Sequence, residues 1–144
     1  MTTVELNSKQ AARLAGVSYR MLDHWIHRGV IAPMKNTTGT GDPRRFDFAD
    51  LLRLRVVARL RAEGVSLQQI RQAIVAIEDR WQLVDPLLSG ALLSIDGEVY
   101  LAESPAELWH VLSGQGAVKS FLLVDVGEIA RDTKERVRKL QLAA

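Results

Sequence analysis

The chain contains no cysteine among its 144 residues, which excludes disulfide bonds, thiolate-ligated metal sites and redox switching by cysteine. It also has no apolar run that approaches the roughly eighteen residues needed to cross a bilayer. Its first residues, Met1–Glu5, contain no basic stretch leading into an apolar core. From these absences we expect a cytoplasmic protein without a membrane segment.

The charges that are present lie unevenly along the chain. Residues 1–80 hold 13 Lys and Arg against 8 Asp and Glu, whereas residues 81–144 hold 6 against 9. A positive segment gains affinity for a polyanion by releasing its counterions, while an acidic segment is better suited to contacts with protein. The length allows two small modules, and we place their boundary after residue 80, close to Asp85-Pro86.

Two short helical patterns meet at a tight turn, Gly16-Val17-Ser18. Ser8 is expected to cap the first helix, and the second helix carries Leu22, Trp25 and Ile26 at the spacing of a buried face. The opposite face of the second helix presents hydrogen-bonding, stacking or cationic side chains of a length suited to a nucleic-acid groove. These side chains are Tyr19, Arg20, Asp23, His24, His27 and Arg28.

A two-stranded wing is predicted after the second helix. A strand begins at Val30-Ile31, residues 36–43 are rich in turn formers, and the chain returns on Arg44-Arg45-Phe46. Phe46 is expected to pack inward, and both arginines are expected to reach backbone phosphates. In the alternative, the arginines pair with Asp42 or Asp47 on the surface.

Two more helices and a second module follow. Leu51, Leu54 and Val57 mark the buried stripe of a third helix, whose Arg53, Arg55 and Arg59 are expected to stay solvated, and a fourth helix continues to Trp81. In the second module, residues 92–95 and 98–101 flank the hairpin signal Asp96-Gly97, a helix starts at Ser104, and residues 118–126 suggest a third strand. The predicted fold class is therefore mainly α, with an α+β C-terminal part that ends in a helix.

The last predicted helix has one apolar seam at helical spacing. It consists of Val126, Ile129, Ala130, Thr133, Val137 and Leu140. The seam either packs on the strand over 118–125 or pairs with the same helix of a second subunit. We predict dimerisation through Val126, Ile129, Thr133, Val137 and Leu140, so that glutamate at Val137 and Leu140 would leave a folded monomer.

Other chemistry is poorly supported by the sequence. His24 and His27 lie three residues apart on one helical face, but no third ligand for a metal is apparent nearby. No nucleophile–base pattern is visible, and the glycine-rich 39–41 segment lacks the lysine and following helix of a phosphate-binding loop. Trp81, Tyr100 and Trp109 are better explained by core packing than by a ligand pocket. We therefore expect no enzyme activity, no metal and no cofactor.

Four motifs in order carry a family resemblance over residues 6–77. They are Ala12–Ser18, Leu22–Ile31, Arg44–Leu51 and Leu60–Ile70. This half of the chain resembles the DNA-binding domain of MerR-type transcriptional regulators and the related excisionase-like proteins. That family usually has a Thr-Leu-Arg-Tyr-Tyr-Glu run where this chain has residues 21–26, so Asp23 is acidic at a commonly basic position.

The resemblance implies a MerR-type winged helix-turn-helix in residues 1–80, followed by a small α+β module in 81–144 for dimerisation or partner binding. The implied function is a bacterial, sequence-specific DNA-binding transcriptional regulator that acts as a homodimer on double-stranded DNA. Arg20 is the expected base-edge contact. The supporting phosphate and base contacts are expected from Ser18, Tyr19, His24, Arg28, Lys35, Arg44 and Arg45.

Two alternatives stay open. Asp23 either accepts a hydrogen bond from a cytosine amine or orients Arg20 or Arg28, and we favour orientation because phosphates repel a carboxylate. The alternative function is an architectural or adaptor DNA binder, such as an excisionase, a phage packaging subunit or an antitoxin. There the acidic residues 81–144 would hold a protein partner.

Overall fold

The computed structural model describes residues 5–33, 44–81, 91–95, 98–102, 106–107 and 122–143, and these residues are mostly helical. The predicted wing tip, Lys35, the Asp96-Gly97 turn and the rest of the helix predicted after Ser104 lie outside the described residues. The helices are α1 (Ser8–Ala15), α2 (Tyr19–His27), α3 (Phe48–Ala62), α4 (Leu67–Trp81) and α5 (Val126–Ala143), and the strands are β1 (Ala91–Ile95), β2 (Glu98–Ala102) and β3 (Leu122–Asp125). Within the described part of the chain, no helix is long and apolar enough to span a membrane.

The chain divides into two compact units. One consists of Met1–Ala58 together with Thr133–Ala144, and the other is Arg59–Asp132. The end of α5 therefore belongs to the same unit as the first two helices. The module boundary after residue 80 stays a prediction.

The N-cap of helix α1 lies one residue earlier than predicted. Asn7 is the N-cap, because its side-chain oxygen accepts a hydrogen bond from the Gln10 backbone nitrogen at 2.8 Å. The Gln10 side chain in turn accepts from the Asn7 backbone nitrogen at 3.0 Å, which completes a capping box. Ser8, which we expected to be the cap, is the first helical residue and is buried.

Val30 and Ile31, where a strand is predicted to begin, are not in a strand. Both side chains are buried, but Phe46 pairs across an antiparallel bridge with Leu6, through backbone hydrogen bonds of 2.9 and 2.8 Å. Phe46 itself is fully buried, as its alternation with Arg45 predicts. This bridge ties the segment after the wing to the start of the chain.

Helix α3 is buried around more of its circumference than a single stripe would require. Its buried residues include Leu52 and Val56 in addition to the predicted Leu51, Leu54 and Val57. At its start, the Asp47 side chain accepts from the Asp50 backbone nitrogen at 2.8 Å, and the Asp50 carboxylate accepts from the Asp47 nitrogen at 3.1 Å. Burial of the Asp50 carboxyl raises its pKa above the ordinary value.

The three strands form one antiparallel sheet in the order β2-β1-β3. Ile95 pairs with Glu98 and Leu92 with Leu101, which is the register expected for strands joined by a two-residue turn. On the other edge, Leu92 pairs with Val124 of β3. Helix α5 follows β3 directly, and Asp125 caps it by accepting from the Glu128 backbone nitrogen at 3.0 Å.

Candidate nucleic-acid interface

Helix α2 is held at a fixed angle to α1 by the turn between them. Gly16 has a left-handed φ of 73°, which a residue with a Cβ adopts only with strain. The Val17 backbone nitrogen then donates to the Ala12 carbonyl at 3.0 Å, closing the end of α1. Ser18 caps α2 by accepting from the Met21 backbone nitrogen at 3.1 Å, so this predicted contact residue has a structural role in the helix start.

One face of α2 anchors it and the opposite face lies in solvent. Leu22 and Trp25 are buried, while Arg20, His24 and Arg28 are exposed. Helical spacing places Arg20 and His24 on the side away from the buried stripe. The predicted groove-facing residues therefore do share an accessible surface.

Two large side chains at the start of α2 are also accessible. Tyr19 is 42% exposed, as expected for a candidate contact. Met21 is 43% exposed and was not among the predicted site residues. Its place in the helical repeat could have identified it. Met21 is apolar, but it does not lie on the helical face of the buried Leu22 and Trp25.

Arg44 is drawn into the side of α2. Its Nη1 donates to Asp23 Oδ1 at 3.0 Å and its Nη2 donates to the Tyr19 hydroxyl at 2.9 Å. The guanidinium carbon lies 5.6 Å from the centre of the Tyr19 ring, within the range of a cation–π contact. The Arg44 side chain is consequently only 9% exposed, although its place on a returning wing strand predicted an outward cation.

Asp23 has partners other than those predicted for it. Besides Arg44, its Oδ2 lies 3.5 Å from His27 Nδ1, and the same nitrogen hydrogen-bonds to the Asp23 backbone carbonyl at 2.8 Å. We expected Asp23 to orient Arg20 or Arg28, and the residue that it engages across the fold is Arg44. The carboxylate thus joins the exposed helix to the segment that follows the wing.

Arg45 lies in a more open environment than its neighbour. Its side chain is 38% exposed, and its Nε is 3.7 Å from Glu5 Oε1. Its Nη1 donates to the Arg44 carbonyl at 2.9 Å. An ion pair this exposed contributes little stability, so the guanidinium can exchange Glu5 for another anion.

The seam of α5 is largely covered by the chain itself. Val126, Thr133 and Val137 are buried in a single copy, whereas Ile129 and Leu140 are half-buried. Thr133 Oγ1 is the hydrogen-bond partner of Arg55 Nη1 at 2.8 Å, so Arg55 is not simply solvated as the sequence predicts. Intermolecular pairing through this seam stays a prediction. A dimer would have to form through a seam in which Val126, Thr133 and Val137 are already buried within one copy.

A second arginine connects α5 to the helix-turn-helix. Arg136 Nη1 donates to the Leu14 carbonyl at 3.0 Å. Leu14 lies in the last turn of α1, where carbonyl groups have no partner within the helix. The terminal helix therefore supports the helix that precedes the turn.

His24 and His27 do not form part of a metal site in the described residues, since no group of three or more potential ligands occurs there. The accessible surface of α2 instead combines a cation, imidazoles, a phenol and a thioether on one rigid helix. Such side chains can bind phosphate oxygens and base edges.

The N-terminal half of the chain matches a known family. Residues 6–76 match the family described as "MerR HTH family regulatory protein". Over 105 residues the chain is 34% identical to an uncharacterized HTH-type transcriptional regulator of Mycobacterium tuberculosis and to one of Mycobacterium bovis. These alignments cover 72% of this chain and 46% of each relative.

A further relative extends the similarity into the second half. Nodulation protein NolA of a Bradyrhizobium species is 31% identical over 130 residues, which cover 90% of this chain and 52% of that protein. The chain spans about half the length of the curated relatives it matches.

Proposed function

Because residues 6–76 belong to the MerR family of helix-turn-helix regulators, we propose that this chain is a sequence-specific DNA-binding transcriptional regulator that acts as a homodimer on duplex DNA in the cytoplasm. The observation that carries the proposal is the two-sided character of α2. Leu22 and Trp25 anchor one side, and the other side presents accessible polar and cationic groups. A helix of this kind can lie in the major groove with its first residues against the bases.

We assign base reading to Arg20 and its neighbours on α2. Arg20 is exposed near the start of the helix and suits the two acceptors of guanine. Met21 suits the methyl group of thymine, because it is an accessible apolar side chain beside Arg20. Tyr19 and His24 would add phosphate or base contacts.

We assign phosphate binding to the cations around this helix. Arg28 and Arg45 are accessible in the structure, and Lys35 was assigned from the sequence alone. Each cation that binds a phosphate releases counterions and makes the affinity depend on salt. In this assignment Ser18 serves as the helix cap.

Homodimerisation is proposed because a two-fold dimer places two reading helices about one turn of DNA, or a multiple of it, apart. We treat residues 81–144 as the α+β module that brings the copies together. Within the seam, Ile129 and Leu140 are only half-buried, so Leu140→Glu should weaken the dimer more than it weakens the fold. Sedimentation velocity of this variant, beside the exposed control Lys139→Glu, tests that assignment. A variant that remains as dimeric as the control would place the interface elsewhere.

The test of the proposal uses a duplex selected from a random pool by the full-length chain. Arg20→Ala should weaken binding to that duplex by about 1 to 3 kcal/mol and affect random DNA little, because a bidentate guanine contact discriminates between bases. Arg71→Ala is the matched control, since Arg71 is an exposed arginine on α4 and not on α2. Equal losses on selected and random DNA would remove base reading from Arg20.

A further inference from the structure

Two adjacent arginines that follow the predicted wing, Arg44 and Arg45, have different surroundings. We propose that Asp23 withholds Arg44 from the DNA backbone and makes it a positioning residue for α2, leaving Arg45 as the phosphate-binding cation of this segment. The inference rests on the proposed DNA-binding function. In this inference Asp23 contributes to specificity. Its carboxylate lowers the general attraction to DNA of any sequence and leaves the base contacts in place.

The Arg44 guanidinium is enclosed. Its Nη1 lies 3.0 Å from Asp23 Oδ1, and the side chain is 9% exposed against 38% for Arg45. A charge-assisted hydrogen bond in such an environment is strong, and separating its partners would leave charges poorly solvated. Arg44 would have to lose this carboxylate before it could bind a phosphate, whereas the carboxylate that Arg45 would exchange is that of the exposed Glu5, at 3.7 Å.

The same guanidinium also contacts Tyr19. Nη2 donates to the Tyr19 hydroxyl at 2.9 Å, and the guanidinium carbon lies 5.6 Å from the ring centre. Tyr19 and Asp23 are four residues apart, so they share one flank of α2. Arg44 therefore joins two successive turns of the reading helix and fixes the direction of the phenol. A hydroxyl that accepts from a cation is polarised, which strengthens its O–H as a donor to a phosphate oxygen.

The pairing of Arg44 with Asp23 lowers the net charge of the reading surface. Arg44 and Asp23 together contribute no net charge, although each lies at the edge of a face that we assign to DNA. Attraction to phosphates acts on every sequence, whereas the base contacts of Arg20 act only on the correct one. Removing one unit of positive charge from this face therefore lowers general binding and leaves base reading in place.

The experiment measures the affinity of the full-length chain for the selected duplex and for a random duplex over a range of salt concentrations. Arg44→Met should weaken binding to the selected duplex without changing the slope of log affinity against log salt. Arg45→Met is the matched control, and it should flatten the slope by about 0.9 on both duplexes because one phosphate contact is lost. Asp23→Asn should release Arg44, steepen the slope by about 0.9 and raise the affinity for random DNA.

Tyr19→Phe distinguishes positioning from a merely structural role. If Arg44 acts through Tyr19, Arg44→Met should weaken binding to the selected duplex less in the Tyr19→Phe background than in the wild type. A slope that flattens with Arg44→Met as much as with Arg45→Met, or that is unchanged by Asp23→Asn, would overturn the inference.

A measurement without DNA tests the Asp23–Arg44 contact separately from the proposed DNA-binding function. The urea midpoints of Asp23→Asn, Arg44→Met and the double variant should be non-additive, because the two side chains interact directly. A wild-type chain that binds no duplex would reject the proposed function even if this coupling is present. A wild-type chain that binds DNA normally, with additive midpoints, would reject only the inference.

Discussion

Arginines make long-range contacts in two regions of this molecule, and these contacts differ in the kind of oxygen that accepts the hydrogen bond. At the edge of α2, Arg44 meets the carboxylate of Asp23 at 3.0 Å, and the two charges cancel. At α5, Arg55 meets the hydroxyl of Thr133 and Arg136 meets the carbonyl of Leu14, which are neutral oxygens. The first contact alters the charge that DNA would encounter, and the second pair of contacts holds α5 in place.

The α5 contacts explain how a polar residue can lie in an apolar seam. Thr133 is 0% exposed, and a buried hydroxyl without a partner would destabilise the fold. The hydrogen bond from Arg55 at 2.8 Å satisfies it and also defines which turn of α5 lies beside α3. Substitutions at α5 should therefore change the stability of the fold, while substitutions of Asp23 and Arg44 should also change DNA binding.

The largest effect is expected from a charge in the α5 seam. Val137 is 5% exposed, so Val137→Glu should lower the free energy of unfolding by about 3 kcal/mol or more, because removing a carboxylate from water is costly. Urea denaturation followed by circular dichroism measures the change. Lys139→Glu introduces a carboxylate at an exposed position of α5 and serves as the control. A stable monomer with an unchanged midpoint would instead support the dimer-only role predicted from the sequence.

A smaller effect is expected from the polar contact of the same helix. Arg55→Met and Thr133→Val should each lower the free energy of unfolding by about 1 to 2 kcal/mol, and the double variant should cost less than the sum. The same urea titrations give all three values. Strictly additive losses would show that the Arg55–Thr133 contact does not contribute as a pair.

The sequence predicts the local elements of this fold better than the contacts between them. The helix-turn-helix over residues 6–76 is confirmed, because the spacing of Leu22 and Trp25 and the Gly16 turn are local signals. The partners of Arg44 lie 21 and 25 residues away, and Thr133 lies 78 residues from Arg55. Helical periodicity carries no information on such pairs.

One local anomaly did point toward the Arg44 contact. An acidic side chain at Asp23, on a face otherwise suited to phosphates, requires a nearby cation. The sequence offered Arg20 and Arg28, which are closest along the helix. In the structure Asp23 pairs with Arg44. The Leu6–Phe46 bridge holds the segment that contains Arg44 beside the Asp23 side of α2.

A modest effect of pH is expected from Asp50. Burial raises the pKa of this carboxyl in the folded state above its ordinary value of 3.8. The folded state therefore holds the proton to a higher pH than the unfolded state, and the associated stability is lost as the pH rises through the raised pKa. Asp50→Asn should reduce the loss of unfolding free energy that occurs as the pH rises from about the ordinary pKa of Asp50 through its raised pKa. Urea titrations at a series of pH values give the free energy of unfolding of the wild type and the variant as a function of pH. Parallel curves would mean that another group causes the pH dependence.

The smallest effect is expected at an exposed ion pair of α5. Arg138 lies 2.6 Å from Glu135 at the surface, where solvent screens the attraction. Arg138→Ala should therefore leave the urea midpoint unchanged within error, in contrast to Arg55→Met. A loss as large as that of Arg55→Met would remove the distinction between surface pairing and helix placement.

The most direct test of the central claim is the ratio of two affinities at one fixed salt concentration. The full-length chain is titrated with the duplex selected from a random pool and with a duplex of the same composition in shuffled order. Sequence-specific reading by α2 predicts that the selected duplex binds at least about 10³-fold more tightly. Equal affinity for the two duplexes would contradict the account, because it would leave only general attraction to phosphates.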